Sequence, residues 1–157
     1  MHDHDHDLPG LRARVAHLED LEAIRALKAR YALYADHAIC TPSDAHAAAI
    51  AGLFVDDASG DYGPLGSYQG RAELLHAFRN VIPGAAVWSR HHVTNPQIEI
   101  DGDRATASFY FIIPALMRGA PAVNTLWGTY EDRLTRTAAG WRFTHVGAVF
   151  TAAPPAT

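Results

Sequence analysis

The chain is short of cysteine, of lysine and of charge altogether, and each shortage excludes something. A single cysteine, Cys40, has no partner for an intrachain disulfide, which fits a reducing cytoplasmic setting and a small side chain used for packing. Thirteen basic against seventeen acidic residues give a formal charge of -4, without the basic face that phosphate neutralisation needs. Nucleic acid is therefore not an expected partner. Only one basic residue is a lysine, Lys28, which reads as genome composition before function. No apolar run reaches the ~18 residues of a bilayer-crossing helix, so no membrane partner is expected. The opening Met1-His-Asp-His-Asp-His-Asp7 has neither the basic nor the apolar region of a signal peptide. His2, His4 and His6 in that tail are ordinary metal-binding side chains, but on a free terminus they would bind a divalent ion only adventitiously. No metal or other cofactor is expected.

What is present is apolar. Of 157 residues, 48% are hydrophobic and 19% charged, enough for one sizeable core and little to cover its outside. The imbalance implies an apolar interior cavity, an apolar subunit interface, or both. The expected plan is a His/Asp-rich tail over 1–9, one domain over 10–152 and a flexible end over 153–157.

Leu11, Val15, Leu18, Leu21, Ile24, Leu27, Tyr31 and Tyr34 recur at spacings of three and four, which predicts a long amphipathic helix over 11–35. Thr41-Pro-Ser-Asp44 reads as the start of a second helix, with Thr41 as its cap, running to near Phe54 and broken by Asp56-Asp-Ala-Ser-Gly60. Residues 60–70 look like a short hairpin. A third helix is expected over 71–80, stopped by Pro83-Gly84. From Val87 on, segments 88–100, 104–117, 121–137 and 141–152 are rich in β-branched and aromatic residues, with turns at Asp101-Gly-Asp103 and Ala138-Ala-Gly140. Helices first and antiparallel strands afterwards predict an α+β domain, a strongly curved sheet wrapped around the long helix with a pocket at its open end.

Polar groups placed where such a cup would otherwise be greasy carry the chemistry. Tyr31 and Tyr34 lie near the end of the long helix, followed by Asp36; Ser89-Arg-His91-His92-Val-Thr-Asn95-Pro96 opens the strands. A carboxylate and an imidazole from separate elements, with a tyrosine nearby, are the parts of a proton-transfer site. Along the strand, His91, Val93 and Asn95 share one face and His92 and Thr94 the other, with Pro96 expected to reset the alternation at a bulge or edge. Either histidine would serve, but adjacent ones cannot both face one substrate. An aspartate on the apolar side of a helix needs a partner, and a histidine is the natural one. Asn95, Tyr34, Trp127, Tyr110, Arg133 and His145 are the candidate substrate contacts.

The motifs Ile24-Arg-Ala-Leu-Lys-Ala-Arg30-Tyr31 with Asp36, Leu53-Phe-Val-Asp-Asp57-Ala58, Tyr68-Gln-Gly-Arg-Ala-Glu73, Arg90-His-His-Val-Thr-Asn95 and Gly128-Thr-Tyr-Glu-Asp132 resemble the SnoaL-like group of the nuclear-transport-factor-two-like superfamily. Within it the chain is most similar to the bile-acid 7α-dehydratase and hexachlorocyclohexane dehydrochlorinase branch, with scytalone dehydratase and polyketide cyclases further off. The resemblance implies a cone-shaped α+β barrel, commonly trimeric, that carries out cofactor-free elimination in an apolar cavity. It places Tyr31, Asp36 and His91 on the dehydratase's catalytic positions. The dehydratase's arginine on the last strand falls on Phe150, so a neutral hydrophobic substrate is expected unless another residue such as Arg133 supplies the cation. A non-catalytic ligand-binding or assembly module of the same fold is the alternative reading.

Overall fold

The computed structural model describes residues 8–151. The first helix, α1 (Leu8–Cys40), has 33 residues and exceeds its expected bounds at both ends, entering the expected N-terminal tail. The remainder of that tail and residues 152–157 lie outside the described residues.

The apolar stripe of α1 is not one face. Leu18, Leu21, Ile24 and Leu27 follow each other at strict threes, and each such step falls ~60° short of a full turn, about half a circle in all. Ile24, Leu27, Tyr31, Ala35 and Ile39 are buried against the body, while Leu8, Leu11, Val15 and Leu18 face solvent. The second helix, α2 (Asp44–Ala51), is capped by Ser43, whose Oγ accepts from His46 N at 3.1 Å. Thr41, the expected cap, is still the last turn of α1: its N–H and its hydroxyl both donate to His37 O.

Asp56-Asp57 does not break the chain as expected but runs inside β1 (Phe54–Asp61), with both carboxylates exposed and Phe54 and Ala58 buried. A short 3-10 turn (Gly63–Leu65) and β2 (Ser67–Gln69) complete the expected hairpin. The third helix, α3 (Arg71–His76), continues through a π-helical turn (Ala77–Val81) into α4 (Ile82–Ala85). Pro83 does not stop it at once: past the wider π-helical turn the helix runs two residues further, to Ala85.

Five strands follow: β3 (Ala86–Ser89), β4 (His92–Asp101), β5 (Arg104–Met117), β6 (Asn124–Thr137) and β7 (Gly140–Thr151). The sheet order is β2-β1-β7-β6-β5-β3, with β4 also against β5, and only the β1–β7 pairing is parallel. This is the expected α+β cone, a strongly curled sheet with the helices packed inside it. Ala105, Ala107, Phe109, Phe111, Ile113 and Ala115 alternate inward along β5, and Tyr130, Asp132 and Leu134 along β6.

Asp132 is an inward charge on a central strand, and its partner is Lys28. The ammonium lies 2.9 and 3.2 Å from the two carboxylate oxygens, with both side chains essentially inaccessible. It also sits 3.4 Å from the Tyr130 ring centroid. Burial pulls the lysine down to about 8 against the opposing pull of Asp132, and burial raises the aspartate against Lys28. The lysine set aside as composition is thus the most buried charge of α1. Lys28→Met leaves a lone carboxylate in the core and is expected to cost ~3–5 kcal/mol in urea denaturation, whereas Lys28→Met with Asp132→Leu recovers most of it. Equal losses in the single and double variants would contradict a buried, mutually dependent pair.

Candidate active site

The site begins with a gap in a strand. Both β3 and β4 pair with β5, Ser89 opposite Ala115 and His92 opposite Ile112, and between them Arg90 N donates to Pro114 O at 3.0 Å. Pro114 has no N–H to return, so the ladder opens at Arg90–His91. The N–H of His91 donates instead to Asp36 Oδ2 at 3.0 Å.

The Asp36 carboxylate collects two further bonds, from Ser89 Oγ to Oδ1 at 2.6 Å and from His91 Nδ1 to Oδ1 at 2.7 Å. A carboxylate can only accept, so Nδ1 carries a proton, and in the neutral ring Nε2 keeps its lone pair. Burial alone would raise the Asp36 pKa, but the hydrogen bond and charge of His91, then Ser89, outweigh it and hold the group below the ordinary carboxylate value.

His91 lines a partly open cavity of about 80 Å³ between α1, the 62–65 turn and the inner face of the sheet. Its walls are aliphatic and aromatic, with Phe150, Met117, Leu126 and Leu65 among them. The polar groups facing this space besides His91 and Ser89 are the phenols of Tyr31, Tyr62 and Tyr130. Burial first, and their mutual proximity second, raises the pKa of Tyr31 and Tyr130, and burial dominates at Tyr62; all three stay protonated donors. Tyr62 Oη is buried and makes no close hydrogen bond among the described residues, its phenol interacting only with that of Tyr31 beside it. Such an unmet donor costs free energy unless something supplies an acceptor.

Tyr31, Asp36 and His91 therefore meet at one place. The strand alternation puts His91 and Val93 inside and the exposed His92 outside, and the parity resets at an irregularity between Thr94 and Gln97. Asn95 lies in that irregularity, at φ +54° and exposed, so it does not face the cavity with His91. Tyr34 is half-buried against the core but is not on the cavity wall. Tyr110 and Trp127 fall on the outward alternation of β5 and β6 and are exposed. Arg133 and His145 face each other across β6 and β7 on the outer side, beside a polar hollow of about 500 Å³. A shift of register next to Leu134 and Phe143 turned His145 outward, where Nδ1 lies 2.7 Å from Ser59 Oγ. Burial first, then Arg133, lowers its pKa. Arg133 thus does not replace the cation lost at Phe150, and no lysine or arginine lines the cavity among the described residues. Sequence reasoning missed Ser89, although it stands two positions before His91, and missed Tyr62, whose glycine-flanked setting carries no signal.

Residues 16–147 match the SnoaL-like domain family. A candidate scytalone dehydratase from Novosphingobium aromaticivorans is similar at 20% identity over 87% of each chain, with a TM-score of 0.75. A nuclear-transport-factor-two-like protein with a cystatin-like fold, from the same organism, is 26% identical over 93% of this chain and 91% of its own, with a TM-score of 0.73. A hexachlorocyclohexane dehydrochlorinase is 17% identical over 88% and 92%, with a TM-score of 0.71. No curated protein matches.

The depressed Asp36 has a stability signature. A carboxyl whose folded pKa lies below its unfolded value near 3.8 lends stability that is complete above that value and lost as pH falls through the folded one. Asp36→Asn is therefore expected to lower stability most at neutral pH, with the gap to the parent narrowing below about pH 4. Thermal denaturation at pH 7, 5 and 3 measures it; a gap that stays constant over this range contradicts the assignment.

Proposed function

The chain belongs to the SnoaL-like domain family, and on that premise we propose that it is a cofactor-independent lyase or isomerase acting on a small neutral apolar substrate. The observation that carries this reading is the 2.7 Å bond between Asp36 Oδ1 and His91 Nδ1 on the wall of an otherwise apolar cavity. Known lyases of this fold are among the similar structures.

His91 Nε2 is the base. It takes the proton from a carbon next to a carbonyl, the C–H electron pair moves into an enolate, and Asp36 stabilises the imidazolium. Tyr62, with its unmet donor, and Tyr31 receive the developing oxyanion. In elimination the enolate re-forms the carbonyl and expels a β-hydroxyl, which takes the imidazolium proton and departs as water. In isomerisation the same proton returns to a different carbon. With a phenyl ring where the resemblance places an arginine, and a cavity well under the ~300 Å³ of drug-sized sites, the favoured substrate is a single-ring neutral compound.

The small, largely apolar cavity also favours a second reading, a non-catalytic module that binds a small apolar ligand. Deuterium exchange at the carbon next to the carbonyl of cyclohexenone and of single-ring β-hydroxyketones, followed by NMR, separates the two. The parent protein is expected to accelerate exchange, His91→Ala to lose ~10²–10⁴ of that rate and Tyr62→Phe ~10² or more. Binding of these probes without exchange would leave the ligand-binding module. Exchange unaffected by His91→Ala would overturn the assigned base.

A further inference from the structure

The chain has one lysine, and it lies in the core, off the cavity wall. Lys28 stands three positions before Tyr31 on α1, so both side chains leave the helix on the same buried side. Its ammonium lies over the ring faces of two residues that do line the cavity, 3.4 Å from the centroid of Tyr130 and 4.5 Å from that of Tyr31. Phe109 and Phe143 stand further off, at 5.6 and 5.5 Å, and complete an aromatic box. Asp132 supplies the counter-charge.

Net stability is weak grounds for such a pair. Taking both ions from water costs about as much as their attraction returns, and well-packed apolar residues in their place are often as stable. What an apolar pair would not supply is positive charge against the two rings. A cation over an aromatic face draws on the ring's electrons, which makes a phenol a stronger hydrogen-bond donor. The phenols follow one another in the order Tyr130, Tyr31, Tyr62, each acting on the next, and Tyr62 holds the unmet donor. Such a chain of donors polarises along its length. Asp132 acts the other way, raising all three phenols, and the ammonium beside it offsets that charge.

We propose that Lys28 is a positioning residue of the Asp36–His91 cavity: from behind the rings of Tyr130 and Tyr31, its ammonium strengthens the phenols as donors to an oxyanion bound there. The inference rests on the proposed reaction, in which phenols receive the developing negative charge, and adds to it a charge that substrate does not touch. It carries a pH signature. The titratable groups facing the ammonium are Asp132 and Tyr130 of β6 and Tyr31 of its own helix; β5 and β7 contribute the rings of Phe109 and Phe143. Burial lowers the lysine to about 8 against the pull of Asp132, so the ammonium is present below that pH and lost above it. Support for an oxyanion declines over the same interval.

The test is binding of 4-nitrophenol to the full chain from about pH 6 to about pH 9, followed by absorbance, which separates phenolate from phenol. Bound phenolate stands in for the oxyanion, and nitrobenzene, which lacks the phenol oxygen, controls for packing. The parent is expected to prefer phenolate, with the preference declining above about pH 8. Lys28→Met with Asp132→Leu is expected to lower the preference ~10-fold and to abolish the decline, with nitrobenzene affinity unchanged. Asp132→Asn serves should that pair fail to fold: it keeps the shape, and the buried amine loses the counter-charge that holds its proton. The same loss is expected. A parent without preference for phenolate overturns the role, as does a preference or a decline above about pH 8 that persists in both variants. An equal loss of nitrobenzene affinity overturns it too. Deuterium exchange keeps the two readings apart. A phenolate preference that follows Lys28 in a parent without exchange supports the role of Lys28 and overturns only the reaction.

Discussion

Charge removed from water on α1 is the constraint on which the rest of the structure depends. Lys28 and Asp36 both lie on the buried side of that helix, and each has its partner on the sheet, Asp132 and the Ser89–His91 pair. An isolated buried charge is far more costly than a lost apolar contact. The helix consequently has little freedom to slide or roll within the curled sheet. Lys28 ties it to the central strand β6, and Asp36 ties it to the sheet edge where β3 gives way to β4. Between the two anchors Tyr31 packs edge-on against Tyr130 and Phe143, and the cavity lies alongside.

The candidate site is a consequence of an interrupted ladder. Proline at position 114 denies Arg90 a return bond, the strand opens, and a backbone N–H, an imidazole and a hydroxyl converge on one carboxylate. That convergence fixes the imidazole's orientation and tautomer before any ligand arrives, the kind of preorganisation that proton transfer benefits from. The apolar lining then leaves Tyr62 as an unmet donor, so hydrogen-bonding chemistry in the cavity is confined to a few groups at known places.

Much of this was legible residue by residue. Asp36 was identifiable because a carboxylate on an apolar helix side demands a partner, and the strand opening offered His91 or His92 to meet it, the family resemblance pointing to His91. The bulge near Pro96 followed from proline's missing donor, and the turns at Gly102 and Gly140 from glycine, which takes up φ of +57° and +91° there. Errors came where a local rule was overruled by distant packing. Asp56 and Asp57 read as a break, yet β7 recruits their segment as a parallel strand. Pro83 read as a stop, yet the helix runs past it to Ala85. His145 and Arg133 were expected at the pocket because alternation alone does not reveal a shift of register between two strands.

By itself the sequence determined the class of the fold, the order of most of its elements and the need of Asp36 for a histidine partner at the strand opening, because periodicity, turn chemistry and the cost of a buried carboxylate all act over short stretches of chain. The tertiary structure alone decided which face each strand turns inward, that Lys28 is a core residue, that the cavity is small with no lysine or arginine on its wall among the described residues, and that half of the stripe on α1 points away from the body. Those outcomes depend on register between strands and on accumulated helical phase, quantities set by the sum of many contacts rather than by any local residue pattern.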